Sequence, residues 1–82
     1  MRVGRLPEGI AIDPATHHIF VTSSFVDNNA PSAVSVIDER TNTIDFTIEV
    51  GVGPEGVAID PLTDAAYVAN NQSGTISVLT PF

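Results

Sequence analysis

An 82-residue chain that is 43% hydrophobic and 16% charged is at most one small globular domain, and folding at this size buries only about 60% of the unfolded chain's surface. Its formal net charge is −7, with Arg2, Arg5 and Arg40 as the fixed cations. Such a surface repels phosphate backbones and anionic lipid, so neither nucleic acid nor a membrane is an expected partner. Without cysteine, no disulfide or thiolate metal site can supplement a thin core.

The chain opens with MRVGRLPEG, which has two arginines but no apolar stretch behind them, so it does not read as a signal peptide. No apolar run approaches the roughly 18 residues needed to span a bilayer. The first predicted strand is GIAID (9–13), opened by Pro7-Glu8-Gly9 and closed by the turn-initiating pair Asp13-Pro14. The second is HIFVTS (18–23), rich in aromatic and β-branched residues. A polar loop leads to the third, AVSVID (33–38), and the turn ERTN to the fourth, TIDFTIEV (43–50). The series then restarts with GVAID (56–60), AAYVAN (65–70) and TISVLT (75–80).

Near-continuous apolar runs belong to strands covered on both faces, and clean alternation to a strand with one wet face. The first two or three strands of each series are therefore expected in the interior. TIDFTIEV is expected at an outer edge, with Ile44, Phe46, Ile48 and Val50 on one face and Thr43, Asp45, Thr47 and Glu49 on the other. Asp45 and Glu49 would discourage edge-to-edge pairing. No stretch has helical periodicity over the ten or so residues a helix needs.

The restart is a repeat. Residues 3–24 align with 50–71 without a gap, and eleven of those 22 positions are identical. The octapeptide PEGIAIDP (7–14) returns as PEGVAIDP (54–61). The offset is 47 there and falls to 42 further on, where SAVSVI (32–37) matches GTISVL (74–79), so the first copy carries five extra residues around Phe25 to Ala30. A period in the range of 20–50 residues marks a repeat architecture. Four short antiparallel strands per period describe a blade of a β-propeller.

These units resemble the YVTN family of propeller repeats. The resemblance rests on AYVAN (66–70), SGTISVL (73–79), VSVIDERTNTIDFTIEVG (34–51) and both PEG-x-AIDP segments, and it covers almost all of the chain. The expected fold is thus all-β, made of β-propeller blades of four-stranded antiparallel sheets, about 1.75 blades of an incomplete propeller. The first blade would span 1–50, preceded by the tail of an outer strand at 1–6. The second would span 51–82 and lack its fourth strand. About three repeats are needed before such a stack holds itself, so further blades are the expected partners, from a longer parent or from other copies. Four copies would make eight blades.

Candidate chemistry is sparse. His17-His18 falls in the turn between the first two strands, and adjacent residues on a strand point to opposite faces, so a solvated turn is expected rather than a metal or acid–base site. Asp13 and Asp60 each precede proline, and their side chains are expected to hydrogen-bond the turns they open. Glu8 and Glu55 recur likewise and read as turn-associated. Asp27-Asn28-Asn29 is oxygen-rich but lacks the spacing and closing glutamate of an EF-hand loop. No phosphate-cradling loop, GxSxG elbow or HExxH occurs, and no catalytic, cofactor-binding or metal-ligating residue is assigned. Where the two copies differ, the insertion offers Phe25, Val26, Asp27, Asn28 and Asn29 as a candidate interaction loop, because loops on a rigid scaffold carry function.

The resemblance implies a non-catalytic scaffold for proteins or ligands within a larger cell-envelope propeller, periplasmic or extracellular, with another envelope protein as its partner and no cofactor. One alternative is a fragment of a propeller enzyme whose catalytic residues lie outside this chain. YVANNQSGTISVL (67–79) resembles lactonase-type sugar-acid propellers, and haem-carrying nitrite-reductase propellers are more distant in pattern. Another alternative is a truncated reading frame with no independent role.

Overall fold

In the computed structural model, residues 3, 5–25, 32–51 and 53–79 are described. Seven strands follow one another: β1 (Arg5–Asp13), β2 (His18–Phe25), β3 (Ala33–Asp38), β4 (Thr43–Glu49), β5 (Pro54–Ile59), β6 (Ala66–Asn70) and β7 (Thr75–Leu79). They form two antiparallel meanders, a four-stranded sheet in the order β1-β2-β3-β4 and a three-stranded sheet in the order β5-β6-β7. The described chain is all-β, and its two successive antiparallel sheets, of four and three strands, are consistent with an incomplete propeller-like fragment.

The hairpin turns explain why the strands end where they do. Ala15 N–H donates to Asp13 Oδ1 at 3.1 Å, Leu62 N–H to Asp60 Oδ1 at 2.9 Å and Arg40 N–H to Asp38 Oδ1 at 2.9 Å. In each case a short carboxylate takes a donor that the turn would leave free. Each four-residue turn then closes on a left-handed residue: His17 (φ 60°), Asn42 (58°), Asp64 (61°) and Gly74 (66°). The matching backbone bonds include Asn42 N–H to the Asp38 carbonyl and Asp64 N–H to the Asp60 carbonyl, both 2.7 Å. The expected roles of Asp13 and Asp60 are those observed.

The first strands differ from the expectation. Pro-Glu-Gly lies inside β1 and β5 rather than ahead of them, and both strands shift register there, between Pro7 and Ile10 and between Pro54 and Gly56. A bulge tolerates a proline that cannot donate to the ladder, so Glu8 and Glu55 belong to strands, not turns. Leu6, just before the first bulge, is left-handed (φ 52°) where the second copy has Gly53 (φ 68°).

The core is one layer between the sheets. Phe20, Val34 and Val36 of the first sheet meet Ala66, Val68 and Leu79 of the second, with Ile48, Val50, Val57 and Ile59 packed around them. Continuous burial of both faces occurs in β3 and over residues 20–23 of β2, whereas β5 and β7 are largely exposed. The interior position expected for the first two or three strands of each series thus holds for β2 and β3 and is corrected for β1 and for the strands of the second sheet. Their runs are apolar on both faces, but each sheet has only one described sheet to lie against. β4 is corrected too, because a bulge opposite Val36 and Ile37 breaks its strict alternation. Phe46 stays in the row of Val36, whereas Ile44 pairs with Ile37, and both are exposed.

Candidate functional site

Cross-strand rows define the two faces of each sheet. Ala11, Phe20 and Val36 stand opposite one another in the first sheet, and their repeat counterparts Ala58, Tyr67 and Val78 do so in the second. The first row turns inward and the second turns outward. Phe20, Val34 and Val36 are 2%, 0% and 0% exposed, whereas their counterparts Tyr67, Ile76 and Val78 are 44%, 62% and 55% exposed. The opposite faces show the reverse. Val57 and Ile59 pack on the core, whereas their counterparts Ile10 and Ile12 are 67% and 54% exposed. The second sheet therefore presents an exposed apolar face, whereas on the first sheet only the rim of β1 is exposed: Val21 and Ile37 of the same face are buried, and Ser23 and Ser35 donate to the Val3 carbonyl lying on it.

The contact between the sheets is close at Gly9. A Cβ there would overlap the backbone carbonyl oxygen of Glu55 and stand 3.0 Å from Thr22 Oγ1. Thr22 fastens the crossing: its Oγ1 accepts from Gly9 N–H at 2.8 Å and donates to the Glu55 carbonyl at 3.3 Å. The glycine that recurs in the octapeptide reads in the sequence as a tight crossing at both Gly9 and Gly56, and the structure bears this out at Gly9 and corrects it at Gly56. At Gly56, the same position in the second copy, a Cβ meets nothing within 4 Å among the described residues.

A second polar contact crosses the same interface. The carboxyl groups of Asp13, which is 2% exposed, and Asp64 face each other there. Asp13 Oδ2 and Asp64 Oδ1 are buried, and neither has an N–H or hydroxyl donor. Two carboxylate oxygens attract only when a proton stands between them. Burial pushes the Asp64 carboxyl above its ordinary value, the bond to Asp13 adds to this, and the charges of Asp13 and Asp60 push the same way. No motif in the sequence marks Asp64. Its one signal is that an acid replaces His17 at a matched left-handed turn position.

The two histidines separate. His17 is in the turn with Nδ1 3.2 Å from Glu39 Oε1, as expected of a solvated turn. His18 opens β2, mostly buried, with Nε2 3.7 Å from Asp45 Oδ2 and its ring edge-on to Phe20. Only His17 fits the expected solvated turn. Of the candidate interaction loop, Phe25 ends β2, in register with Arg5, and Val26, Asp27, Asn28 and Asn29 lie outside the described residues. Among the described residues no group of three or more His, Asp or Glu side chains is arranged to hold a metal ion. No helix there is long and apolar enough to cross a membrane.

Comparison with protein-family models, with curated proteins and with solved structures finds no match to this chain.

Proposed function

We propose that this chain is a non-catalytic β-propeller repeat segment of the YVTN type, an interaction scaffold within a larger cell-envelope propeller in the periplasm or outside the cell. The observation that carries this reading is the exposed apolar surface of the two sheets, Tyr67, Ile76 and Val78 on the second and Ile10 and Ile12 along β1 of the first. Monomeric soluble proteins rarely expose contiguous apolar patches of this kind, and such patches mark sites of association. The polar side chains support the same reading. Asp13, Asp38 and Asp60 bind turns, and Thr22, Ser23 and Ser35 bond backbone carbonyls across strands and sheets. A feature repeated once per blade builds architecture, whereas catalysis needs an asymmetric constellation.

The insertion is the loop that differs between the copies and is the expected point of partner contact. Deleting residues 26–30 brings the first copy to the length of the second. The shortened chain is expected to keep its β circular-dichroism spectrum and to lose saturable binding to the producing cell's envelope fraction. If the intact chain shows no saturable binding, the scaffold reading fails. Equal binding by both forms moves the contact away from this loop.

A further inference from the structure

We infer that Asp13 and Asp64 form a proton-operated clasp between the two sheets, closed while one proton stands between their carboxyls and open once that proton has left to solvent. The clasp works whatever the chain binds, and so is independent of the scaffold reading. The pair joins different sheets: Asp13 is the last residue of β1, and Asp64 is the left-handed residue of the turn between β5 and β6. The facing atoms, Asp13 Oδ2 and Asp64 Oδ1, are shut off from water and have no other donor. Neither side can swing away. Asp13 Oδ1 is fixed on Ala15 N–H, and the corner of Asp64 is fixed by its own N–H on the Asp60 carbonyl at 2.7 Å. Two ionised carboxylates held face to face away from water repel strongly. With both corners fixed, the relief is for the sheets to part at this end.

The surrounding charges favour the proton. Acids press on Asp64 from both sides, Asp13 across the interface and Asp60 within its own turn. The bases of this corner are turned to other acids. His18 stands beside Asp13 in register, but its Nε2 lies 3.7 Å from Asp45 Oδ2. His17 Nδ1 is 3.2 Å from Glu39 Oε1, and Arg40 Nε is 3.2 Å from Asp38 Oδ1. Burial and the two acids hold the Asp64 carboxyl above its ordinary value, so the proton stays past the pH at which an exposed aspartate loses it. The other end of the contact carries no titrating side chain: Thr22 Oγ1 accepts from Gly9 N–H and donates to the Glu55 carbonyl. Gly9 precedes Asp13 by about 13 Å of strand. The glycine crossing is therefore a fixed pivot, and the acidic pair opens or closes one end of the interface.

The chain has no cysteine, so two spin labels can be set on the turns that the clasp joins, through Ala15→Cys and Leu62→Cys. Both positions are exposed. The distance between the labels, read by double electron–electron resonance, is expected to be short and narrowly distributed in acid. It is expected to lengthen in one step whose midpoint lies above 3.8, while the β circular-dichroism spectrum stays constant. Asp64→Asn in the labelled chain cannot ionise and keeps a donor toward Asp13 Oδ2, so it is expected to stay closed at every pH. Should that variant fail to fold, Asp13→Asn keeps an Oδ1 acceptor for Ala15 N–H and donates to Asp64 Oδ1, and the same closure is required of it. A parent distance that does not change with pH, a midpoint at or below 3.8, or an asparagine variant that opens as the parent does each overturns the inference. A change that coincides with loss of the β spectrum reads global unfolding and overturns it likewise.

Discussion

Asp64 and His17 hold the same left-handed corner of the repeat, at φ 61° and 60°, yet the change of residue type gives the two corners opposite electrostatics. At Asp64 a second carboxyl meets Asp13, and the raised value of Asp64 means that the folded chain holds this proton more tightly than the unfolded chain does. The resulting stabilisation is fully present below the ordinary value of 3.8 and is lost as pH rises through the raised folded value. Asp38 works in the other direction. The side-chain bond from Arg40, then its backbone N–H, hold Asp38 below 3.8, so that contribution is present above 3.8 and lost in acid. Asp64→Asn keeps a donor toward Asp13 Oδ2 and removes the charge. Thermal melts from pH 4 to 7 should show the variant gaining on the parent as pH rises, with the higher melting temperature at pH 7. Equal slopes for the two chains would show that the pair does not share a proton. The turn-binding roles of Asp13 and Asp60 were legible because donor and acceptor lie two residues apart. The meeting of Asp13 with Asp64 was not, because it joins different repeats and depends on how one sheet lies on the other.

At the scale of the strand, the bulges of β1 and β5 explain how a Pro-Glu-Gly run can belong to a ladder. They also bring Gly9 under the second sheet. Gly9→Ala sets a methyl group against a backbone oxygen that cannot swing aside, and overpacking of this kind costs about 1–3 kcal/mol. Gly56→Ala meets nothing and should stay within about 0.5 kcal/mol. Urea titration of the two variants measures the difference, and equal midpoints would contradict the crossing. Strand number, order and approximate bounds could be read from apolar runs and turn residues. The bulges could not, since register depends on which partner residue stands opposite. Ile44 shows the consequence: a strict alternation in the sequence assigned it to the face of Phe46, and one bulged residue carried it into the row of Ile37.

For the whole molecule, the repeat fixes the architecture and leaves the core thin. Six buried apolar side chains form the layer between the sheets, and Phe20 is the largest of them. Phe20→Ala should cost about 3–5 kcal/mol. The total expected for a chain of this length is roughly 4–12 kcal/mol, so the variant should lose a large share of its stability and melt well below the parent, as read by its β spectrum on heating. Retention of a sharp transition within a few degrees of the parent would place the main core elsewhere. The all-β class and the two successive meanders were legible because one pattern is spelled twice. Which strands are wet was not, because an apolar run states that both faces can be covered, and the number of sheets present decides whether they are.

The edges of the two sheets differ in what they admit. β4 carries Asp45 and Glu49 on the edge of the first sheet, but β7 reads Thr-Ile-Ser-Val-Leu without a charge, and no described strand pairs with its far side. An uncharged edge is a template for an extended segment. Among the described strands, the far side of β7 is therefore where a further strand adds most readily, whether it comes from the same chain or from another.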